Sequence, residues 1–254
     1  MHKNALITGA TAGIGFEFAD LLASKGHALA LVARDESRLH ERAKDLQARH
    51  KIRVIVVAKD LAKPASPSEI FETLQRENFP VSILINNAGF GVYGRFAETE
   101  LARNMDMLQV NMNSLVQLTG LFLKPMLDRR EGGILNVASA AAFQPGPWLG
   151  LYSATKAFVH SFTCALAVEL EGTGVTATSL CPGGTATEFQ QRAGMEHSTT
   201  PMSARSVVEI GYQAMMKGKP FVVPGLKNKI LVAGSRKLTV MFSARLAKKL
   251  NDNR

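Results

Sequence analysis

Tyr152 and Lys156, in YSATK, stand four residues apart and so share one face of any helix that contains them. A strand-like run ends thirteen residues earlier at Ser139. These types suit reduction of a carbonyl, which needs a proton at its oxygen. A free phenol with pKa near ~10 donates or accepts poorly at neutral pH. A cation at roughly 4 Å, with an effective dielectric near 20, contributes on the order of 4 kcal/mol, enough to lower that pKa by up to about three units. The expectation is therefore a tyrosine activated by Lys156, with Ser139 holding the substrate oxygen.

The hydride has to come from a cofactor, and the N-terminus carries a place for one. NALIT (4–8) leads into TGATAGIG, with Thr8, Gly9, Thr11, Ala12, Gly13, Ile14 and Gly15. Gly9 suits the tight turn, Gly13 a close backbone approach to pyrophosphate, and Gly15 close packing of the next helix. The helix start offers N–H groups and partial positive charge to phosphates. After the second strand, LVARDESRL puts Ala33 where an NAD-binding protein needs an acid, followed by Arg34 and, one helical turn on, Arg38. Two guanidiniums and no contacting carboxylate favour the 2′-phosphate of NADP(H). Asp35 reads as a helix cap, and Asp60, beside Leu61, as an acceptor for the adenine amine or as a turn former.

The elements that must position these groups are legible from apolar periodicity. Strands are expected at 4–8, 28–32, 53–57, 82–86, 133–138, 175–180 and 221–223, with helices near 15–25, 35–50, 66–77, 98–128, 152–171 and 203–217. Several strand runs are apolar at successive residues, as in a parallel sheet buried on both faces. The fold expected is α/β, a Rossmann-like doubly wound parallel sheet of about seven strands with helices on both faces. One catalytic and cofactor domain over 1–224 is expected, with a basic, partly helical extension over 225–254.

The chain is similar to the short-chain dehydrogenase/reductase family over nearly all its length to about residue 224. The marks are TGATAGIG, NNAG at 86–89, Asn111 in QVNMNS, Ser139, YSATK and PGGTAT at 182–187. The resemblance implies strand order 3-2-1-4-5-6-7 and a bound nicotinamide dinucleotide. It implies that Asn111 lies in a distorted helix and completes a proton relay through water to Lys156. It places Asn87, Ala88 and Gly89 on the adenosine side, and Pro182, Gly183, Thr185 and Thr187 by the nicotinamide. It also implies a lid between Thr185 and Met202. Around the reacting carbon, Phe90, Val92, Tyr93, Phe143, Gln144, Trp148, Leu149, Phe189, Met195 and His197 are expected to form a mainly apolar pocket. A weaker likeness to 3-oxoacyl and 17β-hydroxysteroid-type reductases suggests a bulky or acyl-chain carbonyl. The alternative is a non-catalytic NADP(H)-binding sensor or scaffold.

Other classes fit less well. The net charge is +9, but residues 1–216 are balanced and the excess lies in 217–254, so a nucleic-acid partner is not expected. Six dispersed histidines and two cysteines, Cys164 and Cys181, suggest no metal site and reduced thiols in a cytoplasmic protein. A homodimer or homotetramer is expected through the helix of Tyr152, using Val159, Phe162, Ala165, Leu166 and Glu169. In the tail, Leu238, Met241, Phe242, Leu246 and Leu250 recur at helical spacing beside Lys237, Arg245, Lys248 and Lys249. Weak peripheral contact with anionic membrane and packing on the protein are both open for it.

Overall fold

The computed structural model describes residues 3–194 and 201–235. The expected strands form: β1 Asn4–Thr8, β2 Ala28–Ala33, β3 Val54–Ala58, β4 Val81–Asn86, β5 Gly132–Val137 and β6 Val175–Leu180. After these come the short pair β7 Thr185–Ala186 and β8 Met202–Ser203, then β9 Phe221–Val222. The main sheet has seven strands in the order β3-β2-β1-β4-β5-β6-β9, all parallel. This is the 3-2-1-4-5-6-7 order, with β9 as the seventh member. The chain reverses direction across the sheet between β1 and β4, and the crevice beyond their carboxyl ends is where open α/β sheets take ligands.

The helices are α1 Gly13–Ser24, α2 Glu36–His50, α3 Ser66–Arg76, α4 Leu101–Leu108, α5 Ser114–Asp128, α6 Gly150–Glu169, α7 Phe189–Arg192, α8 Ala204–Met216 and α9 Leu226–Ser235. They cover both faces of the sheet. Phe18, Leu22, Leu39, Leu46 and Val208 pack with one face, and Ile70, Leu74, Phe122, Met126 and Leu166 with the other. The single helix expected over 98–128 is interrupted by a π-helical turn, Gln109–Asn113, centred on buried Asn111. Extra residues of this kind inside a helix are frequent at functional positions.

Two expectations change. The oligomer face assigned to α6 is largely inside the subunit, since Val159 and Leu166 are buried and Phe162 packs against the core. A helix that lies on a sheet must turn its most apolar stripe inward. The side left outside keeps Ala165 and Glu169 of that set and adds Ala154, Phe158, Ser161 and Val168. The chain past residue 224 also enters the body of the fold. Val232 of α9 joins Val159, Cys181 and Val223 in a third apolar cluster. Tail residues from 236 onward, including the five apolar and four basic positions named above, lie outside the described residues, as do Met195 and His197. Among the described residues, no helix is long and apolar enough to cross a membrane.

Candidate functional site

The glycine-rich turn is clamped to the end of β4. The Thr8 hydroxyl accepts from the backbone N–H of Asn87 and of Ala88, each at 3.0 Å, and donates weakly to Ile85 C=O at 3.4 Å. The Asn87 amide donates back to Thr8 C=O at 2.9 Å and to Gly9 C=O at 3.3 Å. Asn87 therefore shapes the turn as well as facing the crevice. Gly9 (φ 67°) and Gly13 (φ 54°) adopt the left-handed conformation. A Cβ on Gly15 would collide with the Gly9 carbonyl oxygen, which is the close packing expected of that position. Ala12, in extended backbone before α1, supplies no side-chain cap, and the first turn of α1 carries no acid. Its N–H groups are thus free of an internal anion and suited to an external one.

Where the adenosine is expected, Asp35 caps α2, accepting from Arg38 N–H at 2.9 Å. Asp60 accepts from Ala62 N–H at 3.1 Å, and the Leu61 carbonyl accepts from Ser114 Oγ at 2.7 Å. Arg34 is exposed. Arg38 is bound to Glu188, Nη2 to Oε1 at 2.6 Å and Nη1 to Oε2 at 3.3 Å. Two neighbours escaped the sequence reading. Arg42 lies one helical turn beyond Arg38, donates to Thr11 C=O at 3.3 Å and stacks on Phe16. Its four-residue spacing from Arg38 was the available signal. Glu188 carried none, because it is 150 residues from Arg38.

The catalytic candidates converge where β5 and α6 meet. Lys156 is buried and donates from Nζ to Val137 C=O at 2.8 Å, with Nζ 5.7 Å from the centre of the Tyr152 ring. Ser139 Oγ accepts from Ala141 N–H at 3.1 Å and reaches Pro182 C=O at 3.5 Å, and it stands close enough to Tyr152 to draw the phenol's pKa down. Asn111 accepts from Phe90 N–H at 3.1 Å and donates to Phe90 C=O at 3.0 Å and Thr155 Oγ1 at 3.1 Å. A Cβ on Gly89 would stand 3.0 Å from Asn111 Oδ1 and 3.3 Å from Lys156 Nζ, so any larger residue there would crowd both side chains.

The electrostatics depart from expectation. Burial pushes the Tyr152 phenol up to about 12, only partly offset by Ser139. Burial also brings the Lys156 ammonium down to about 8. Lys156 does not figure among the causes that set the Tyr152 phenol here, and its ammonium is directed at Val137 C=O. Both groups are driven toward their neutral forms by desolvation.

Among the described residues, those expected around the substrate make several separate contacts. Phe143 turns to His160, with ring centres 4.6 Å apart, and packs on the third cluster. Phe189 lies against Tyr152, 5.4 Å between ring centres. Tyr93 N–H donates to Ala193 C=O at 3.3 Å, and Gly94 N–H to Trp148 C=O at 2.9 Å, so the segments after β4, after β5 and after β7 are tied together. Trp148 sits at φ 65°, costly for a bulky residue. It lines a cavity of about 440 Å³ with Val92, Phe96, Asn104, Pro147 and Leu151. Phe90, Gln144 and Leu149 are half-buried nearby in sequence but do not border it. Among the residues expected by the nicotinamide, Thr185 Oγ1 donates to Gly183 C=O at 3.0 Å, and Pro182 C=O accepts from Ala140 N–H at 2.8 Å. Gly183 lies directly against the Asn228 side chain of α9. The Thr187 methyl stands 2.9 Å from where a Gly13 Cβ would be.

A sequence model described as short chain dehydrogenase matches residues 3–198. A very-long-chain 3-oxoacyl-CoA reductase of Danio rerio is 34% identical over 190 residues, covering 72% of this chain and 59% of that protein. This chain thus matches well under two thirds of that relative's length. Sulfoacetaldehyde reductase 2 of Chromohalobacter salexigens is 35% identical over 221 residues, covering 83% and 87%. Among solved structures, a short-chain dehydrogenase from Sphingobium yanoikuyae in complex with NADPH superposes with TM-score 0.84 at 30% identity, covering 92% and 94%. One from Burkholderia phymatum in complex with NAD superposes with TM-score 0.82 at 26% identity, covering 92% of each chain.

The clamp at Thr8 predicts a specific sensitivity. Thr8→Val keeps the shape but removes the acceptor of two amide N–H groups, and is expected to cost about 2–4 kcal/mol of stability. Thr8→Ser should cost under about 1 kcal/mol. Urea unfolding of the two variants checks this, and equal midpoints would show that the hydroxyl is dispensable.

Proposed function

The chain belongs to the short-chain dehydrogenase/reductase family of oxidoreductases, and from that premise we propose that it is an NADP(H)-dependent reductase of ketones or aldehydes, with a bulky or acyl-chain carbonyl as substrate. The observation that carries the reading is the convergence of Ser139, Tyr152 and Lys156 beside Gly89 and the glycine-rich turn. The cofactor, when bound, supplies the hydride. Ser139 holds the substrate oxygen beside the Tyr152 hydroxyl, and Tyr152 gives that oxygen its proton. The phenolate so created is buried, and Lys156 is the nearby cation that stabilises it. Asn111, in the π-turn, keeps the Gly89–Phe90 backbone in place, so that a water reaching Lys156 Nζ past Gly89 can return the proton.

Exposed Arg34, the absence of an acid at Ala33 and the cationic face of α2 support NADP(H) over NAD(H). The NADPH and NAD complexes of the two structural relatives bracket that choice. Apolar Phe90, Val92, Tyr93, Trp148 and Phe189 support a bulky substrate, in keeping with the 3-oxoacyl-CoA reductase name of one relative.

The assembly we propose is a homodimer or homotetramer that covers the outer side of α4–α6. Leu101 is 69% exposed, Met105 55% and Val168 63%, and Phe158 stands out beside Phe162. Apolar groups in such number on adjoining helices mark an interaction surface.

Four measurements test these readings. Tyr152→Phe should abolish turnover and leave NADPH affinity near wild type, whereas Lys156→Ala should impair both; a phenylalanine variant that still turns over would end the mechanism. Reduction should slow as pH rises through about 8, because Lys156 loses its charge there while Tyr152 stays protonated to about 12. Cys181 and Tyr152 are the titratable neighbours of that ammonium, and a flat kcat from pH 7 to 10 would contradict its role. The preference for NADPH over NADH should reach at least about 1.4–3 kcal/mol and reverse when Ala33→Asp is combined with Arg34→Ser. Light scattering should give the mass of two or four subunits, and Phe158→Glu with Val168→Glu should lower it; a wild-type monomer at micromolar concentration rules the assembly out.

A further inference from the structure

Three consecutive residues after β7 bridge the crevice. Thr187 covers Gly13 of the glycine-rich turn. Glu188 grips the Arg38 guanidinium through two nitrogens, at 2.6 and 3.3 Å. Phe189 lies on the Tyr152 ring, with its Cζ 3.3 Å from where a Cβ on Gly91 would stand. The adenosine end and the reacting end of the site are thereby linked through one short stretch of backbone.

We propose that Glu188 is a specificity-determining residue for the cofactor. Its carboxylate competes with a 2′-phosphate for Arg38, so that a 2′-phosphorylated adenosine releases the segment carrying Phe189 and an unphosphorylated one does not. This rests on the NADP(H) reading above and extends it to access at Tyr152.

The chemistry is a competition between two anions for one fork of N–H donors. A guanidinium binds a carboxylate or a phosphate in the same bidentate manner. A phosphate monoester carries about −1.5 to −2 charges at neutral pH against −1 for the carboxylate, so it is the stronger ligand. Arg42, on the same side of α2 and held against Thr11, adds to the field that favours it. The Glu188 side chain is already 42% exposed, so its return to water costs little. Once Glu188 leaves Arg38, the peptide it shares with Phe189 loses one of its anchors, and the Tyr93 N–H to Ala193 C=O bond and the Tyr152 ring contact are left to hold it. The population with Phe189 away from Tyr152 then rises. A nucleotide without the 2′-phosphate makes no such exchange and leaves the segment fastened.

The experiment uses the full chain, with 2′-phosphoadenosine 5′-phosphate and 5′-AMP as probes, and reads binding by calorimetry and backbone hydrogen exchange over residues 187–193. Glu188→Gln should tighten the 2′-phosphorylated probe about three- to fivefold, the range set by a half-exposed ion pair, and leave 5′-AMP unchanged. In the wild type, exchange should rise with the 2′-phosphorylated probe and not with 5′-AMP. In Glu188→Gln it should be high before either is added. Glu188→Ala should behave alike, since it removes the charge by a different steric route. Unchanged or weaker binding of the 2′-phosphorylated probe in both variants would mean that Glu188 merely positions Arg38, and would overturn the proposal. If the wild type binds both probes equally, the NADP(H) reading itself fails. A wild-type preference without gain in the variants removes this inference alone.

Discussion

A single threonine hydroxyl at the end of β1 holds the crevice in shape. Thr8 lies where the sheet changes direction, with β2 on one side of its strand and β4 on the other. Here the chain must leave β1 in a left-handed turn, start α1 and leave three or four helical N–H groups without internal partners. It does so against the NNAG segment leaving β4, whose own amides need acceptors. Thr8 and Asn87 answer both demands by exchanging hydrogen bonds between the two exits. Gly9 and Gly15 then permit an approach that any side chain would block. Beyond that clamp the remaining site parts are placed by the sheet and the helix laid on it: β5 ends at Val137, two residues before Ser139, and α6 carries Tyr152 and Lys156.

The price of this placement is electrostatic. Tyr152 and Lys156 lie in the interior, and desolvation pushes each toward neutrality. A neutral phenol is the state a proton donor needs at the start of reduction. A lysine poised near neutrality responds strongly to any negative charge that forms beside it, since a buried pair interacts far more strongly than an exposed one. At rest the ammonium donates to Val137 C=O and does not figure among the causes that set the Tyr152 phenol. The Glu188–Arg38 pair has the opposite character, half-exposed and exchangeable, which suits a contact that is to be broken and remade.

The outer surface of the subunit follows from the same sheet geometry. Helices laid on a parallel sheet bury one stripe, and α6 has a second apolar stripe left over. The choice between the two could not be made from spacing, because both repeat at three and four residues. Val159 and Leu166 went inward with Tyr152 and Lys156, and Phe158 and Val168 remained outside.

Local pattern and short-range chemistry were enough for the seven main strands, their parallel arrangement, the glycine-rich turn, the Asp35 cap and the shared face of Tyr152 and Lys156. Each depends on residues within a few positions of one another, where periodicity and turn chemistry act directly. The π-turn at Asn111 and the strand order came from family likeness, since nothing in QVNMNS itself forces an extra residue into a helical turn. Tertiary structure alone decided the rest. Glu188 meets Arg38 across 150 residues. Asn228 lies on Gly183, and Val232 joins the core, from a stretch that read as an appended tail. Phe143 meets His160 across seventeen residues. The pKa values of Tyr152 and Lys156 also belong here, because desolvation depends on how completely distant segments close over a group, and no spacing along the chain carries that information.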